Sequence, residues 1–329
     1  MNPTILLVDV ASKERENWKA FLENQRYDVF TAENPGSARQ LCLQLQPDLV
    51  LLRDHLPQVR GPELCRRLKQ DPLNQLTPVV LISSAPTPIE MEQSREAGAT
   101  DFWGMPFSLD EGLGRIQSLL RLKSYIDEQA KSVVLSLARS IEAKHCLTDG
   151  HSDRLAEYAS QLGESLGLGE KDLEELRLGC LLHDIGKVAV PDSILLKPGR
   201  LNAQEAEVMR QHPITGEQIC APLKSLRPVL PIIRHHHERM DGTGYPDGLY
   251  GGEIPLKARI LQVADVYDAL INDRPYREAL SSEEALEILR QEAMQGWIDA
   301  SLVWKFTQIC QMRDLLPVRS RSMLASYYA

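Results

Sequence analysis

Two short segments in the second half of the chain contain side chains that bind metal ions. Residues 183–187 read HDIGK, and residues 236–246 read HHERMDGTGYP. Together they supply three imidazoles, several carboxylates and a lysine, which are groups that hold hard or borderline cations beside a phosphate. The combination predicts metal-dependent hydrolysis.

The distribution of histidines places this chemistry in the second half of the chain. Seven of the eight histidines lie between His145 and His237, and the exception is His55. Further ligand candidates are His151, His212 and Asp265. Asp265 lies in an otherwise apolar stretch without Lys or Arg from 260 to 273, so its carboxylate needs another partner. Several buried charges would be too costly without a bound cation.

A helical pattern predicts how the first segment is presented. Four residues share one helix face and point inward, namely Leu173, Leu176, Cys180 and His183. Asp184 lies about 100° further around the same helix. The side chains of His183 and Asp184 can therefore flank a pair of cations, with the carboxylate as a bridge.

The elements that must carry these ligands are helical. After Ala143 strand signals are nearly absent, and the spacing of apolar residues predicts helices at 150–166, 170–184, 202–218, 230–237, 256–273 and 282–295. An all-α bundle can present ligands from several helices to one central cavity. Residues 241–248 are rich in Gly and Pro and are predicted as a loop.

The first part of the chain has a different pattern. Five β-rich runs, each followed by a stretch of helical length, lie at 4–10, 27–31, 48–52, 78–83 and 100–103. This alternation predicts a doubly wound, five-stranded parallel sheet covered by helices, with any site at the carboxyl ends of the strands. The domain resembles a response-regulator receiver, which has a flavodoxin-like fold, in residues 5–9 (ILLVD), 47–52 (PDLVLL), 78–83 (PVVLIS) and 98–102 (GATDF).

The residues by which receivers are phosphorylated are altered in this sequence. The resemblance implies an acidic pair after the first strand, an acceptor Asp after the third, Ser or Thr after the fourth, and Lys before a proline after the fifth. The corresponding residues here are Asp9 with Val10, Arg53, Ser83 and Met105. Asp54 is expected to point to the opposite face of its strand from Arg53. The domain is therefore predicted to be a degenerate receiver that is not phosphorylated in the usual way and that serves dimerisation or partner binding.

The region between the two domains is predicted to be helical. It has no Pro after Pro106 and no Gly after Gly114 up to about Ala143, and apolar residues recur at helical spacing. Both a continuous helix that transmits rotation and a packed connector explain this pattern. The predicted domains are the receiver at 1–122, a helical connector at 123–143, the metal-dependent domain at 144–315 and a tail at 316–329.

A second resemblance becomes specific when the ligand candidates are read in order with their neighbours. The ordered set consists of His151, residues 183–187, residues 212–216 (HPITG), residues 236–246, Asp265 and residues 273–277 (DRPYR). Over about residues 125–310 it resembles the HD-GYP family of cyclic di-GMP phosphodiesterases. The resemblance implies two metal ions bridged by Asp184. One ion is held by His151, His183 and Asp265, and the other by His212, His236 and His237.

The same resemblance bears on the metals and the reaction. Mixed His and carboxylate ligation favours Fe or Mn, with Ni, Co or Zn as alternatives. Relatives with a third metal use a Glu where this chain has Leu147, which predicts two ions. Two such ions share a hydroxide that attacks phosphorus. Lys187 is expected to act with Asp184 in catalysis, by stabilising charge or by aiding proton transfer.

Substrate contacts are implied for the loop and for two arginines. The family resemblance makes Gly244, Tyr245 and Pro246 a substrate lip, in which Tyr245 contacts a guanine or a ribose. Arg274 and Arg277 would clamp phosphate, for which a bidentate guanidinium is well suited.

The family resemblance implies hydrolysis of cyclic di-GMP to pGpG, and it leaves open whether GMP is formed as well. Two alternatives stay open. One is a cyclic di-GMP sensor or a scaffold that binds diguanylate cyclases with GGDEF domains, and the other is an HD phosphohydrolase for another nucleotide such as cyclic GMP-AMP. A homodimer through the receiver or the connector helix is a further expectation.

Composition bears on the other classes of protein. The net charge of −9 argues against binding to nucleic acid polymers. No apolar run reaches the roughly 18 residues of a membrane helix, and the start of the chain lacks a signal-peptide pattern, so we expect no membrane association and a cytoplasmic location. Six cysteines without a Cys-x-x-Cys pair favour reduced thiols.

Overall fold

The computed structural model describes residues 2–9, 13–145, 150–273 and 278–315. The chain divides into two compact units. The first comprises Met1–Lys131 with Ala221–Ser225, and the second comprises Ser132–Cys220 with Leu226–Ala329. The predicted tail at 316–329 lies outside the described residues.

A parallel sheet forms the centre of the first unit. Its strands are β1 (Thr4–Val8), β2 (Asp28–Ala32), β3 (Leu49–Arg53), β6 (Val79–Ser83) and β7 (Asp101–Gly104). Their order in the sheet is β2-β1-β3-β6-β7. A short antiparallel pair, β4 (His55–Leu56) and β5 (Val59–Arg60), follows β3 and was not predicted. The predicted doubly wound sheet is confirmed, because all five predicted strands are present in a parallel arrangement.

Helices pack on the sheet of the first unit. They are α1 (Lys13–Asn24), α2 (Pro35–Leu45), α3 (Gly61–Lys69), α4 (Pro88–Glu96) and the first part of α5 (Leu109–His145). Successive strand residues point to opposite faces of the sheet. Leu6 and Val8 therefore join one buried cluster, while Ile5 and Leu7 join another that includes Ile116 of α5. Burial on both faces explains why the strands are apolar throughout.

The predicted connector is part of one uninterrupted helix. α5 runs for 37 residues without a break, from the first unit into the second. The last glycine in it is Gly114, and it contains no proline, so the residues that most often break helices are absent from most of its length.

The second unit is helical, as predicted. Beyond the end of α5 its helices are α6 (His151–Ser165), α7 (Glu170–Leu182), α8 (Asp192–Leu195), α9 (Ala203–Met209), α10 (His212–Cys220), α11 (Leu230–His235), α12 (Leu256–Ile271), α13 (Ser282–Met294) and α14 (Ala300–Leu315). Their core includes the fully buried side chains of Leu155, Leu176, Ile260 and Phe306. In the part of the chain that the structure describes, every helix is too short or too polar to cross a membrane.

The single helix predicted at 202–218 is wrong. The structure has two helices there, α9 and α10, separated at residues 210–211. Pro213 explains the break, because its ring has no N–H and would clash with the carbonyl of Met209 in a continuous helix. Pro213 is instead accommodated in the first turn of α10, where a missing N–H costs little.

Candidate metal centre

Two groups of potential ligand atoms lie in the second unit. One group consists of Asp184, His212, His236 and His237, and the other of His151, His183 and Asp265. Within each group the ligand atoms lie within 4.8 Å of one another. Metal bonds to such atoms measure about 2.0–2.2 Å, so two ligands of one ion are separated by at most about 4.4 Å, which is close to the observed limit. The structure therefore brings together all seven predicted ligands in the two predicted sets.

The carboxylate of Asp184 lies between the two groups. Its Oδ2 is 3.3 Å from His183 Nε2, and its Oδ1 is 3.3 Å from His212 Nε2. The helix predicted at 170–184 is shorter in the structure, where α7 ends at Leu182. Asp184 then precedes a 3₁₀ turn over Ile185–Ala189. The chain changes direction at this turn. The change, rather than the 100° step of an α-helix, turns the Asp184 side chain toward His212.

A glycine permits the 3₁₀ turn to lie directly on α10. A Cβ atom on Gly186 would be 1.9 Å from the carbonyl oxygen of His212 and 2.6 Å from the backbone nitrogen of Gly216. Any side chain at this position would force the two backbones apart. The close approach places Asp184 beside His212, which is the first residue of α10.

Three of the histidines are oriented by the main chain. The Nδ1 atoms of His183, His212 and His236 each lie 2.8 Å from the carbonyl oxygen three residues earlier. An Nδ1–H that donates to a carbonyl leaves the Nε2 lone pair free. Each of these three imidazoles can therefore bind a metal through its Nε2 atom when that atom carries no proton.

His151 has a different support that the sequence analysis missed. Its Nδ1 lies 2.7 Å from Asp268 Oδ2, and Asp268 is also paired with Arg154. The signal for Asp268 was available, since it lies one helical turn after Asp265 in the same apolar helix. The neighbouring Ser152 donates from its N–H and its hydroxyl to Glu142 of α5, which fixes the start of α6.

The charges in the centre are strongly coupled. Burial lowers the pKa of His236 and of His237 well below the usual value, and the neighbouring imidazoles add to this effect. Burial also opposes the charge of His183, but Asp184 and Asp265 outweigh it and raise the pKa of His183 to about 9. Burial opposes the charge of Asp184 as well, yet His183 and Lys187 hold its pKa well below the usual range.

The donor set fits divalent cations. Imidazoles that present Nε2 beside carboxylate oxygens are typical ligands of such metals. Asp184 Oδ1 is buried and makes no hydrogen bond among the described residues, so it is available to a cation. A cavity of about 210 Å³ lies beside the group of His151, His183 and Asp265. The residues that line it include these three and Asp184, Lys187 and His237.

Lys187 reaches the same carboxylate. Its Nζ lies 2.6 Å from Asp184 Oδ2, and its side chain is 16% exposed. Lys187 also lines the cavity, so its ammonium group can face a ligand there. The predicted proximity of Lys187 to Asp184 is observed, whereas its role in catalysis stays a prediction.

The predicted loop lies against the centre. The Tyr245 ring stacks on His237 with ring centroids 4.8 Å apart, and the Arg210 guanidinium lies 5.8 Å from the Tyr245 centroid. The loop is held by the fully buried Glu238, whose carboxylate accepts hydrogen bonds from the backbone N–H groups of residues 247, 248 and 249. Gly244 lies so close to the backbone of Glu238 that a Cβ would be 2.4 Å away. Glu238 and Arg210 were not predicted.

Some predicted site residues lie outside the described residues. They are Val10 of the receiver, Leu147 at the position linked to a third metal, and the two predicted phosphate contacts Arg274 and Arg277.

In the first unit, Arg53 ends β3, where the resemblance to receivers predicts the phosphate acceptor. Arg53 Nη2 lies 2.7 Å from Glu14 Oε2, and Arg53 Nε lies 3.9 Å from Asp9 Oδ1. Met105 lines the same small cavity, and Ser83 is buried at the end of β6. The guanidinium thus supplies the positive charge that a cation would bring to these acids.

Asp54 belongs to a separate cluster with His55 and Glu90, whose ligand atoms also lie close together. Arg60 pairs with both carboxylates, at 3.2 Å from Asp54 and 3.3 Å from Glu90. Because a guanidinium already balances these charges, we assign no metal to this cluster.

Comparisons with known proteins agree with both units. The chain matches the response regulator receiver domain over residues 5–117 and the HD domain over residues 136–302. It is 34% identical to the cyclic di-GMP phosphodiesterase response regulator RpfG of Xanthomonas campestris, over 87% of this chain and 82% of that protein. It is 31% identical to a cyclic di-GMP phosphodiesterase of Thermotoga maritima, over 89% of this chain and 86% of that protein. It is also 39% identical to 3'3'-cGAMP-specific phosphodiesterase 3 of Vibrio cholerae, over 58% of this chain and 41% of that protein.

Gly186→Ala is expected to separate Asp184 from His212 and to weaken metal retention at the group that contains both. Overpacking of this kind costs about 1–3 kcal/mol of stability. Metal content after dialysis, together with chemical unfolding, measures both effects. Gly252→Ala is the matched control, because no heavy atom lies within 4 Å of a Cβ there. Equal metal content and stability in the two variants would contradict the proposed role of Gly186.

Proposed function

The chain belongs to the HD-GYP family of cyclic di-GMP phosphodiesterases with an N-terminal receiver domain, and we propose that it hydrolyses cyclic di-GMP at two divalent cations. The observation that carries this proposal is the pair of ligand groups with Asp184 between them. When bound, two cations at such a centre lower the pKa of water and neutralise charge on a phosphodiester. The products would be pGpG and, after further hydrolysis, GMP.

Each group of the centre has a distinct part in this proposal. Asp184 would bridge the cations, since its two oxygens face different imidazole groups. Lys187 would neutralise charge on the phosphoryl group or move a proton, because its ammonium lies at the edge of the cavity beside Asp184. Its present ion pair with Asp184 would exchange for a contact to the phosphoryl oxygens when substrate enters.

Tyr245 would contact a guanine or ribose. Its ring is already stacked on His237, and Arg210 approaches the ring from within cation–π distance. Pro246 and Gly244 would set the backbone of this lip, since Gly244 lies where no side chain fits. Arg274 and Arg277 remain the proposed phosphate contacts from the sequence alone.

The cations are proposed to be Fe or Mn, with Ni, Co or Zn as alternatives, because imidazole-rich sets with two carboxylates accept all of these metals. The seven ligands divide into one group of four and one of three. That division supports two ions and leaves coordination positions for water and phosphate oxygens.

The receiver is proposed to act without phosphorylation, through partner binding or dimerisation. Arg53 is paired with Glu14 at the position of the acceptor, and an arginine cannot carry an acyl phosphate. Diguanylate cyclases with GGDEF domains are proposed partners on the basis of the sequence, as is a second copy of the chain bound through the receiver or connector helix.

The similarity to a relative that acts on another cyclic dinucleotide supports a second candidate substrate, 3'3'-cGAMP. The relative from Vibrio cholerae named above is specific for 3'3'-cGAMP and resembles the metal-binding half of the chain. Cyclic di-GMP is nevertheless the first proposal, because the relatives that match over most of the chain are cyclic di-GMP phosphodiesterases.

Asp184→Asn is expected to lower the hydrolysis of cyclic di-GMP by more than about 100-fold, the upper end of the effect of residues that only support a ligand. The amide keeps the shape of the side chain but removes the bridging charge. Anaerobically purified protein loaded with Mn²⁺ would be incubated with cyclic di-GMP and with 3'3'-cGAMP in parallel, and the products separated by chromatography. Asp192→Asn, at a 63% exposed side chain, is the matched control. Equal cleavage by both variants would refute the mechanism. Faster cleavage of 3'3'-cGAMP than of cyclic di-GMP would show that 3'3'-cGAMP is the preferred substrate.

Tyr245→Ala is expected to raise the KM for cyclic di-GMP about 10-fold, because stacking on a base contributes about 1–3 kcal/mol. Tyr245→Phe keeps the ring and should stay close to the wild-type value. Steady-state kinetics measures the change, with metal content checked because Tyr245 also packs on His237. An unchanged KM in Tyr245→Ala would show that the ring does not contact the substrate.

Acetyl phosphate is expected to leave the chain unlabelled and its hydrolytic activity unchanged. The reason is that Arg53 replaces the acceptor and Met105 replaces the lysine that would bind the phosphoryl group. Intact mass spectrometry measures labelling, and a receiver with the full set of acids serves as the positive control. An acyl phosphate on Asp9 or Asp54 would overturn the proposal of a degenerate receiver.

A further inference from the structure

The four histidine ligands whose Nδ1 contacts are described do not have the same kind of support. Three lie within hydrogen-bond distance of the main-chain carbonyl group three residues earlier. His151 alone among these four has a side-chain carboxylate, Asp268, at 2.7 Å from Nδ1. A carboxylate is a stronger acceptor than a carbonyl and carries a full charge, so the two kinds of support affect the imidazole differently.

The neighbours of Asp268 hold its carboxylate in place beside His151. Its side chain is 2% exposed, and both oxygens have partners. Arg154 Nε lies 2.7 Å from Oδ1 and Arg154 Nη2 lies 3.1 Å from Oδ2, so the guanidinium contacts both oxygens. Asn272 Nδ2 adds a contact of 3.0 Å to Oδ1. Asp268 therefore cannot reach a cation as a ligand without losing hydrogen bonds in a buried place.

The residues of this arrangement lie at the same three-residue spacing on both α6 and α12. His151 and Arg154 are three residues apart on α6, and Asp265 and Asp268 are three residues apart on α12. Residues at this spacing are neighbours on one helix face. The ligand pair, His151 and Asp265, has Nε2 and Oδ1 3.6 Å apart, and the pair of Arg154 and Asp268 lies one turn further along both helices.

We propose that Asp268, held by Arg154, is a positioning residue that fixes the orientation and tautomer of His151 and thereby strengthens cation binding at the group of His151, His183 and Asp265. The inference rests on the two-cation centre of the proposed function. Its physical basis is the Nδ1–H to carboxylate hydrogen bond, which leaves Nε2 unprotonated and makes it a stronger donor to a metal. The group of Asp184, His212, His236 and His237 has no contact with Asp268 among the described hydrogen bonds and ion pairs, so the effect should be confined to one cation.

Asp268→Asn tests this inference in the full chain. The amide removes the charge and can present its NH₂ group to His151, which would favour the tautomer with a proton on Nε2. Metal-free protein would be titrated with Mn²⁺ by calorimetry, and electron paramagnetic resonance would follow whether the bound ions are coupled. The wild-type chain is expected to bind two coupled ions. In Asp268→Asn one site should weaken by about 10–100-fold while the other keeps its affinity, so that an isolated Mn²⁺ signal replaces the coupled one.

Two further variants keep the test decisive. Arg154→Gln removes the counter-charge but leaves Asp268 beside His151, so it should weaken the same site by less, and it decides the question if Asp268→Asn does not fold. Asp192→Asn is the control and should bind as the wild type does. Thermal unfolding of the metal-free proteins identifies variants that are merely unstable.

The outcomes separate this inference from the proposed substrate. Two coupled ions with unchanged affinity in folded Asp268→Asn would overturn it, and so would equal weakening of both sites, which indicates a general structural role. A wild-type chain that does not bind two Mn²⁺ ions would overturn it together with the two-cation proposal. A wild-type chain that binds two ions but does not cleave cyclic di-GMP would refute only the substrate, because the selective effect of Asp268→Asn is measured without it.

Discussion

The second unit depends on keeping the charge of one partly buried carboxylate, that of Asp184, between two groups of imidazoles. In an apolar interior such a charge is costly unless positive charge lies beside it. His183 and Lys187 lie beside that carboxylate and hold its pKa well below the usual range against the opposing effect of burial, and Asp184 in turn raises the pKa of His183. The two oxygens of Asp184, which face different imidazole groups, place this negative charge where divalent cations would be held.

The ends of helices, more than their middles, deliver the ligands. His151 and His212 begin their helices, and His183 and His236 follow directly after the last residue of theirs. At a helix end the chain is free to turn, and carbonyl groups that lack helical partners can accept a hydrogen bond from an imidazole. Asp265 is the exception, because it projects from within α12. The centre therefore needs close contact between helix ends, and Gly186 removes the side chain that would prevent it.

The first unit keeps the receiver's sheet but balances its acids internally. Arg53 is paired with Glu14 at the acceptor position, and Arg60 is paired with Asp54 and Glu90 nearby. Both guanidinium groups therefore balance negative charge within the first unit. This balance supports the proposal that the unit acts through binding and not through phosphorylation. α5 continues without a break into the second unit, where its Glu142 fixes the start of α6 beside His151.

The sequence by itself determined the fold classes, because apolar periodicity follows directly from secondary structure. It also predicted the seven ligands and the altered receiver residues, because both predictions depend on residue identity in short, ordered motifs. Only the tertiary structure decided how Asp184 is presented, that α9 and α10 are separate, and that Asp268, Arg154 and Glu238 support the centre. Those features come from contacts between residues far apart in the chain, such as residues 151 and 268, and from backbone turns a few residues long. Two of these features had a local signal, namely Pro213 at the break between α9 and α10 and the position of Asp268 one helical turn after Asp265. The partner of Asp268 had none, because an aspartate paired with a distant arginine looks the same in the sequence as one that binds a metal.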